Sequence, residues 1–316
     1  MNARSADLEW YLEGDPVLRS VVRRDMLGER TDDERIIDDP RIKRIAEEVM
    51  SWPWPPISSH KSAGHPLHKF AFLADLRVDL EAAGGDRLLK ELVSSMVDGL
   101  PRLPNKTPVH FGGSGETELA WSLCDTPLIL YSMSRCFPSF DGKEGMRTIA
   151  SMSQDNGMPC RVSPELGRFR GPGRKDDPCP LASLYTLKAI TQLDRKGSEG
   201  LARTITGSLL SLWKESRERH PYMFYMGTDF RKLKLPFVWY DVLSVAETLS
   251  YYPWVLKDER FKDMLSVILN KKDADGRYTP ESIWTSWKDF DFCQKKGPSR
   301  WLTFSVERIQ RRAEEV

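Results

Sequence analysis

Apolar residues along this chain recur at helical spacing, and few stretches alternate with polar residues over more than four positions as a strand would. Between residues 86 and 100, Leu88, Leu89, Leu92, Val93, Met96 and Val97 share one face with charges between them, the pattern of an amphipathic surface helix. Residues 201–219 and 260–271 read the same way. A second type of segment is apolar nearly all round: 66–76, 119–137, 179–193, 237–252 and 301–309. Helices of that kind are buried on most sides. The two types alternate, which predicts an all-α protein built from helical hairpins.

The buried type shares a start signal. Pro16, Pro66, Pro178, Pro236 and Pro298 each stand at an expected first helical position, where the missing N–H costs nothing. They lie 50, 112, 58 and 62 residues apart, and an apolar helix expected from about Thr117 divides the long interval. Six hairpins of roughly 50–60 residues suggest a repeat array. With the buried helices inside and the amphipathic ones outside, the expected architecture is an α/α toroid forming a single domain over residues 1–316. An open superhelix of hairpins is the alternative. Connections that enter the buried helices are long and those that leave them are short, which puts the expected working rim at the buried helices' N-termini.

Composition narrows the class. The chain has 316 residues with 47 Lys+Arg against 46 Asp+Glu, so no global basic field favours nucleic acid as a partner. No apolar run reaches the roughly 20 residues of a membrane span, and the first residues lack a signal-peptide core. Five scattered cysteines argue for a reducing compartment rather than a disulfide framework. The expectation is a cytoplasmic protein acting on a small molecule, its oligomeric state open. Serine-elbow, phosphate-loop, dinucleotide and paired-cysteine motifs are absent.

Several stretches carry a resemblance. They are His65-Pro-Leu-His-Lys69, His110-Phe-Gly-Gly-Ser-Gly-Glu116, Phe169-Arg-Gly-Pro-Gly-Arg-Lys-Asp-Asp-Pro-Cys179, Gly227-Thr-Asp-Phe-Arg-Lys232, Phe237-Val-Trp-Tyr-Asp241, Asp273-Ala-Asp-Gly-Arg-Tyr-Thr-Pro-Glu-Ser-Ile-Trp284 and Gln294-Lys-Lys-Gly-Pro-Ser-Arg-Trp-Leu-Thr303. Together with the repeat they resemble the prenyltransferase/squalene-oxidase repeat proteins, in a bacterial branch of the terpenoid cyclase and protein prenyltransferase superfamily. The resemblance implies an α/α-toroid fold. It implies no single chemistry, because the Asp-x-Asp-Asp acid motif of the cyclases is missing. Asp177-Pro-Cys179 is similar to half of the prenyltransferase zinc set, and no histidine follows one repeat later.

The residues themselves leave three functional readings open. In the leading one, the rim cavity performs acid–base lyase, isomerase or cyclase chemistry on a medium-sized apolar or aromatic molecule with a polar or anionic group, and needs no cofactor. His68, His110, Asp176, Asp177, Tyr240 and Asp241 are its expected catalytic groups; Lys175, Arg231 and Lys232 orient the polar end. Trp121, Trp239 and Trp301 line the wall. The second reading is a zinc- or iron-dependent lyase or prenyl-transfer-like enzyme holding its metal with His65, His68 and His110, with Cys179 or Asp177 completing the set. The third is a non-catalytic toroid that binds an isoprenoid or a protein. Structural duties compete at several positions: Asp177 as a helix cap, Trp239 and Tyr240 as core, Glu116 and Glu118 as helix-opening acids, and Trp284–Trp301 as a strap over the rim.

Overall fold

The computed structural model describes residues 5–29, 36–171 and 173–315. Among them are thirteen α-helices: α1 Ser5–Leu12, α2 Pro16–Leu27, α3 Pro40–Met50, α4 Pro66–Leu76, α5 Asp86–Ser94, α6 Thr126–Cys136, α7 Lys143–Ser151, α8 Pro180–Leu193, α9 Glu199–Lys214, α10 Val242–Leu249, α11 Pro253–Leu256, α12 Glu259–Leu269 and α13 Arg300–Glu314. One antiparallel hairpin joins β1 Leu103–Lys106 to β2 Thr117–Ala120, with Leu103 opposite Ala120 and Lys106 opposite Thr117. The protein is mostly helical. No helix among the described residues is long and apolar enough to cross a membrane.

Local chemistry explains where the helices start. Asp15 accepts the Leu18 amide and Pro16 opens α2; the His65 ring accepts the Leu67 amide and Pro66 opens α4. These two starts fall where the prolines predict. The other three do not, because the capping residue decides the boundary. Cys179 precedes α8, so Pro180 rather than Pro178 is its first residue. Asp241 caps α10 through the Ser244 amide at 2.9 Å, and Pro236 lies six residues outside. Ser299 caps α13 through the Leu302 amide, beyond Pro298.

The helix expected from Thr117 is also corrected. Glycines at 112 and 115 adopt φ of 87° and 80°, turning the chain back so that Thr117–Ala120 pairs with β1. The helix begins nine residues later, at Thr126-Pro127, which is itself a proline start. Glu116 therefore lies in the turn and Glu118 on β2, and neither opens a helix.

The layering follows the two sequence types. Helices α4, α6, α8 and α10 are buried over most of their surface, whereas α5, α7, α9 and α12 bury one side. Packing runs α3 on α4, then α4 on α6, α6 on α8, α8 on α10, α10 on α13 and α13 on α2. Arg24 of α2 then donates to the Leu76 carbonyl at the end of α4, at 2.8 Å. Outside this succession α7 covers α6 and α8, α9 covers α8, and α12 packs on α9, α10 and α13.

In the segment before α13, Trp287, Phe290 and Phe292 are buried while Lys288, Lys295 and Lys296 stay solvated, as expected. Trp287 hydrogen-bonds the Ala63 carbonyl at 2.9 Å, and its ring lies 4.8 Å from Phe72. Phe290 and Phe292 stack at 5.1 Å, both against Phe72 and Trp301.

Candidate functional site

The residues expected at the N-terminal rim divide into small, separate groups. His65 uses both ring nitrogens structurally, Nδ1 for the Leu67 amide and Nε2 against the Pro55 carbonyl at 2.8 Å. His68 is buried, its Nε2 donating to the His60 carbonyl at 2.9 Å, and burial pulls its pKa down to about 3. An imidazole so weakly basic is a poor proton acceptor near neutrality. His110 is exposed in a turn, its ring against Phe111. Lys175 and Asp176 are exposed too. Asp177 faces the Arg174 amide at 3.4 Å instead of capping α8.

The remaining expectations fare similarly. Arg231 covers the Trp213 ring at 4.5 Å, and Lys232 pairs with Asp229 on the surface. Trp121 and Trp239 are half-buried in connections, not on buried helices; Trp239 stacks on Phe224. Tyr240 is core, its hydroxyl without a hydrogen bond. Asp241 is fully buried as the α10 cap, and burial raises its carboxyl to about 7. Cys179 faces Cys124 with sulfurs 3.7 Å apart. Among the described residues no three His, Cys, Asp or Glu side chains converge as a metal-holding set. His65, His68, His110 and Cys179 are thus not assembled into one.

A cavity of about 590 Å³ opens at the opposite ends of the buried helices. Six helices give it their final turns: Arg24 and Asp25 from α2, Asp75 from α4, Tyr131 and Arg135 from α6, Lys188 and Gln192 from α8, Glu247 from α10, and Arg308 and Arg312 from α13. Eight bases and four acids line it, so its field favours anions. At its base a smaller apolar pocket of about 40 Å³ is formed by Phe72, Phe237, Phe292, Trp301 and Phe304. Asp75, Phe237 and Arg308 border both spaces. Of the expected site residues, only Trp301 lines either cavity.

Two charged clusters form the wall. In the first, Asp75 accepts the Tyr131 hydroxyl at 2.7 Å and the Lys188 ammonium at 2.8 Å. Lys188 also lies 4.9 Å from the Tyr131 ring centre and 5.5 Å from that of Phe237. Burial, reinforced by the Asp75 charge, holds the Tyr131 hydroxyl protonated far above its usual range. In the second, Glu247 takes Arg312 at 2.9 Å and Arg308 at 3.3 Å. Burial pushes Glu247 up, but the two guanidinium groups outweigh it and hold the carboxyl below its usual range.

A sequence signal for this site existed and was of a kind other than a motif. Each apolar helix carries one lone charge in its second half: Asp75 in α4, Arg135 in α6, Lys188 in α8 and Glu247 in α10. A single charge in an otherwise buried helix needs a partner: Asp75 and Lys188 find each other, Glu247 takes Arg308 and Arg312 of α13, and Arg135 donates to the Ala74 carbonyl and Gln192. No protein-family model, characterised protein or solved structure matches this chain.

Proposed function

We propose that the chain is an α/α-toroid enzyme whose cavity at the buried helices' C-terminal ends performs acid–base chemistry on a medium-sized molecule with an anionic group and a small apolar part. The toroid reading is supported by the succession of helix contacts from α4 round to α2, by the Arg24–Leu76 link, and by the six final turns that share one cavity. It agrees with the fold of the terpenoid cyclase and prenyltransferase superfamily that the sequence resembles. The five cysteines are all free, which suits the cytoplasm.

The observation that carries the chemistry is Asp75 between Tyr131 and Lys188 in the cavity wall. Asp75 is the base that takes a proton from a carbon or hydroxyl of the substrate. Lys188, 2.8 Å from that carboxylate, stabilises negative charge developing on an adjacent substrate oxygen. Tyr131, kept protonated, donates its hydrogen bond to Asp75 and fixes the carboxylate in place, and the proton returned is the one Asp75 has taken. The rate-determining charge develops inside a site already filled with fixed cations, so little reorganisation is needed. Isomerisation or elimination of the elements of water fits this set.

The test is incubation of the protein with a small-metabolite extract in deuterium oxide, followed by mass spectrometry. Turnover appears as a metabolite that gains deuterium or loses water with the wild type and does neither with Asp75→Asn. Identical profiles for the two proteins reject the proposal.

A further inference from the structure

We propose that the cluster of Arg24, Arg77 and Arg308 around Asp25 is a phosphoryl subsite, which receives the dianionic group of a small phosphate monoester. The proposal rests on the cavity reading above and names the part of the substrate that this wall holds.

The charge count is the first argument. Asp25 meets Arg24 at 2.8 Å, Arg308 at 3.3 Å and Arg77 at 3.7 Å. Arg308 also pairs with Glu247, which Arg312 shares. Four guanidinium groups therefore face two carboxylates, so this wall carries net positive charge, with Arg77 exposed at its edge. Net positive charge at a cavity mouth attracts an anion. A phosphate monoester, with its second pKa near 6, carries close to two negative charges at neutral pH.

Bases near helix C-termini have an ordinary duty, which is to bind the last carbonyls and offset the dipole. That duty explains Arg24 on the Leu76 carbonyl and Arg135 on the Ala74 carbonyl. It leaves two features unexplained. Arg308 Nε is buried with no hydrogen-bond partner, although Arg308 borders both cavities. A buried guanidinium N–H without an acceptor calls for one. Arg77 occupies the residue after α4 with φ of 62°, a left-handed position where glycine would be free of strain. Its only ion pair among the described residues is the long one to Asp25. Burial and the like charges of Arg24 and Arg135 also hold its pKa below the usual guanidinium range.

Donors from two helices and from the residue after a third suit a tetrahedral anion with three free oxygens better than a planar carboxylate, which one guanidinium fork can satisfy. The remainder of the ligand is bounded by the pocket of about 40 Å³ at the cavity base. Phe237, Trp301 and Phe304 there leave room for no more than a methyl-sized group, since an aromatic ring needs roughly 150 Å³; a ring stays in the larger space of about 590 Å³.

The experiment is calorimetric titration of the full chain with phenyl phosphate and, separately, with benzoate. The wild type is expected to bind phenyl phosphate at least about tenfold more tightly than benzoate, the size of one charge-assisted contact. Arg77→Gly is expected to weaken phenyl phosphate about tenfold or more while the protein stays folded, because glycine suits the backbone there. Asp75→Asn removes a negative charge that borders both spaces, so it is expected to bind phenyl phosphate at least as tightly as the wild type. Equal affinity for the two ligands, or an Arg77→Gly variant that binds like the wild type, overturns the subsite. An Asp75→Asn variant that binds phenyl phosphate yet turns over like the wild type rejects the acid–base reading alone and leaves the subsite standing.

Discussion

Tyr131 on α6 donates its hydroxyl hydrogen to Asp75 on α4 across 2.7 Å, and the bond faces the cavity shared by six helix ends. Tyr131 is buried in the core with its hydroxyl committed to Asp75, which is half-buried at the cavity wall. Tyr131→Phe keeps the ring and removes only the hydroxyl. The expected cost in stability is about 1 kcal/mol, measurable by urea unfolding. Turnover is expected to fall about tenfold, the loss of one hydrogen bond that positions the base. A variant with wild-type turnover would remove Tyr131 from the chemistry.

Arg77 carries its side chain at a backbone position that penalises every residue with a Cβ. Arg77→Gly relieves that strain, while the more flexible unfolded chain cancels part of the gain. The net expectation is a stabilisation of roughly 0.5–1 kcal/mol, read from the urea midpoint at low salt. Loss of stability instead would mean that the Asp25 contact at 3.7 Å outweighs the strain.

How far these residues were legible in the sequence differs between the two ends of the buried helices. Pro16 and Pro66 mark true starts because Asp15 and His65 directly before them can cap. Pro178 and Pro298 are misleading by two residues, because Cys179 and Ser299 provide the boundary nearer the helix. The run from His110 to Glu116 contains three glycines, yet a hairpin leaves only four-residue strands, too short for alternation to register. Histidines and tryptophans drew the expected site toward the long loops. The loops instead fold down over the helix N-termini, and their aromatic strap fills the space beside Phe72 and Trp301. Whether a lone charge such as Lys188 meets Asp75, 113 positions away, depends on helix register, which sequence spacing alone leaves open.

His68 and Asp241 give opposite pH dependences. His68 is pulled down to about 3 by burial, so acid protonates it more readily in the unfolded chain, and its contribution to stability is lost as pH falls from about 6.5. Asp241 is raised to about 7, so the folded chain holds that proton more tightly, and stability is lost as pH rises from about 4 toward 7. Each effect is of the order of a few kcal/mol and they oppose across pH 4–6.5. Asp241→Asn, which can still cap α10, should expose the histidine slope, making the protein steadily more stable from pH 4 to 6.5. His68→Gln should expose the opposite slope. Urea unfolding of the two variants at several pH values checks the signs; slopes of the same sign would show that one of the two burial effects is absent.

Glu247 is the counter-charge for two guanidinium groups and also accepts the Tyr251 hydroxyl at 3.3 Å. It is 7% exposed, so water offers little substitute when it is lost. Glu247→Gln keeps the shape and removes the charge, leaving Arg308 and Arg312 to repel each other across the gap. The expected destabilisation is about 3–5 kcal/mol, the usual cost of breaking a buried pair from one side. Replacing Glu247 and Arg312 together, by Met and Leu, removes both desolvated charges and should recover most of that loss. Chemical unfolding of the single and double variants measures the coupling directly. A single variant costing less than about 1 kcal/mol would place the pair in the class of solvent-screened surface bridges, and the cavity wall would then be far wetter than its packing implies.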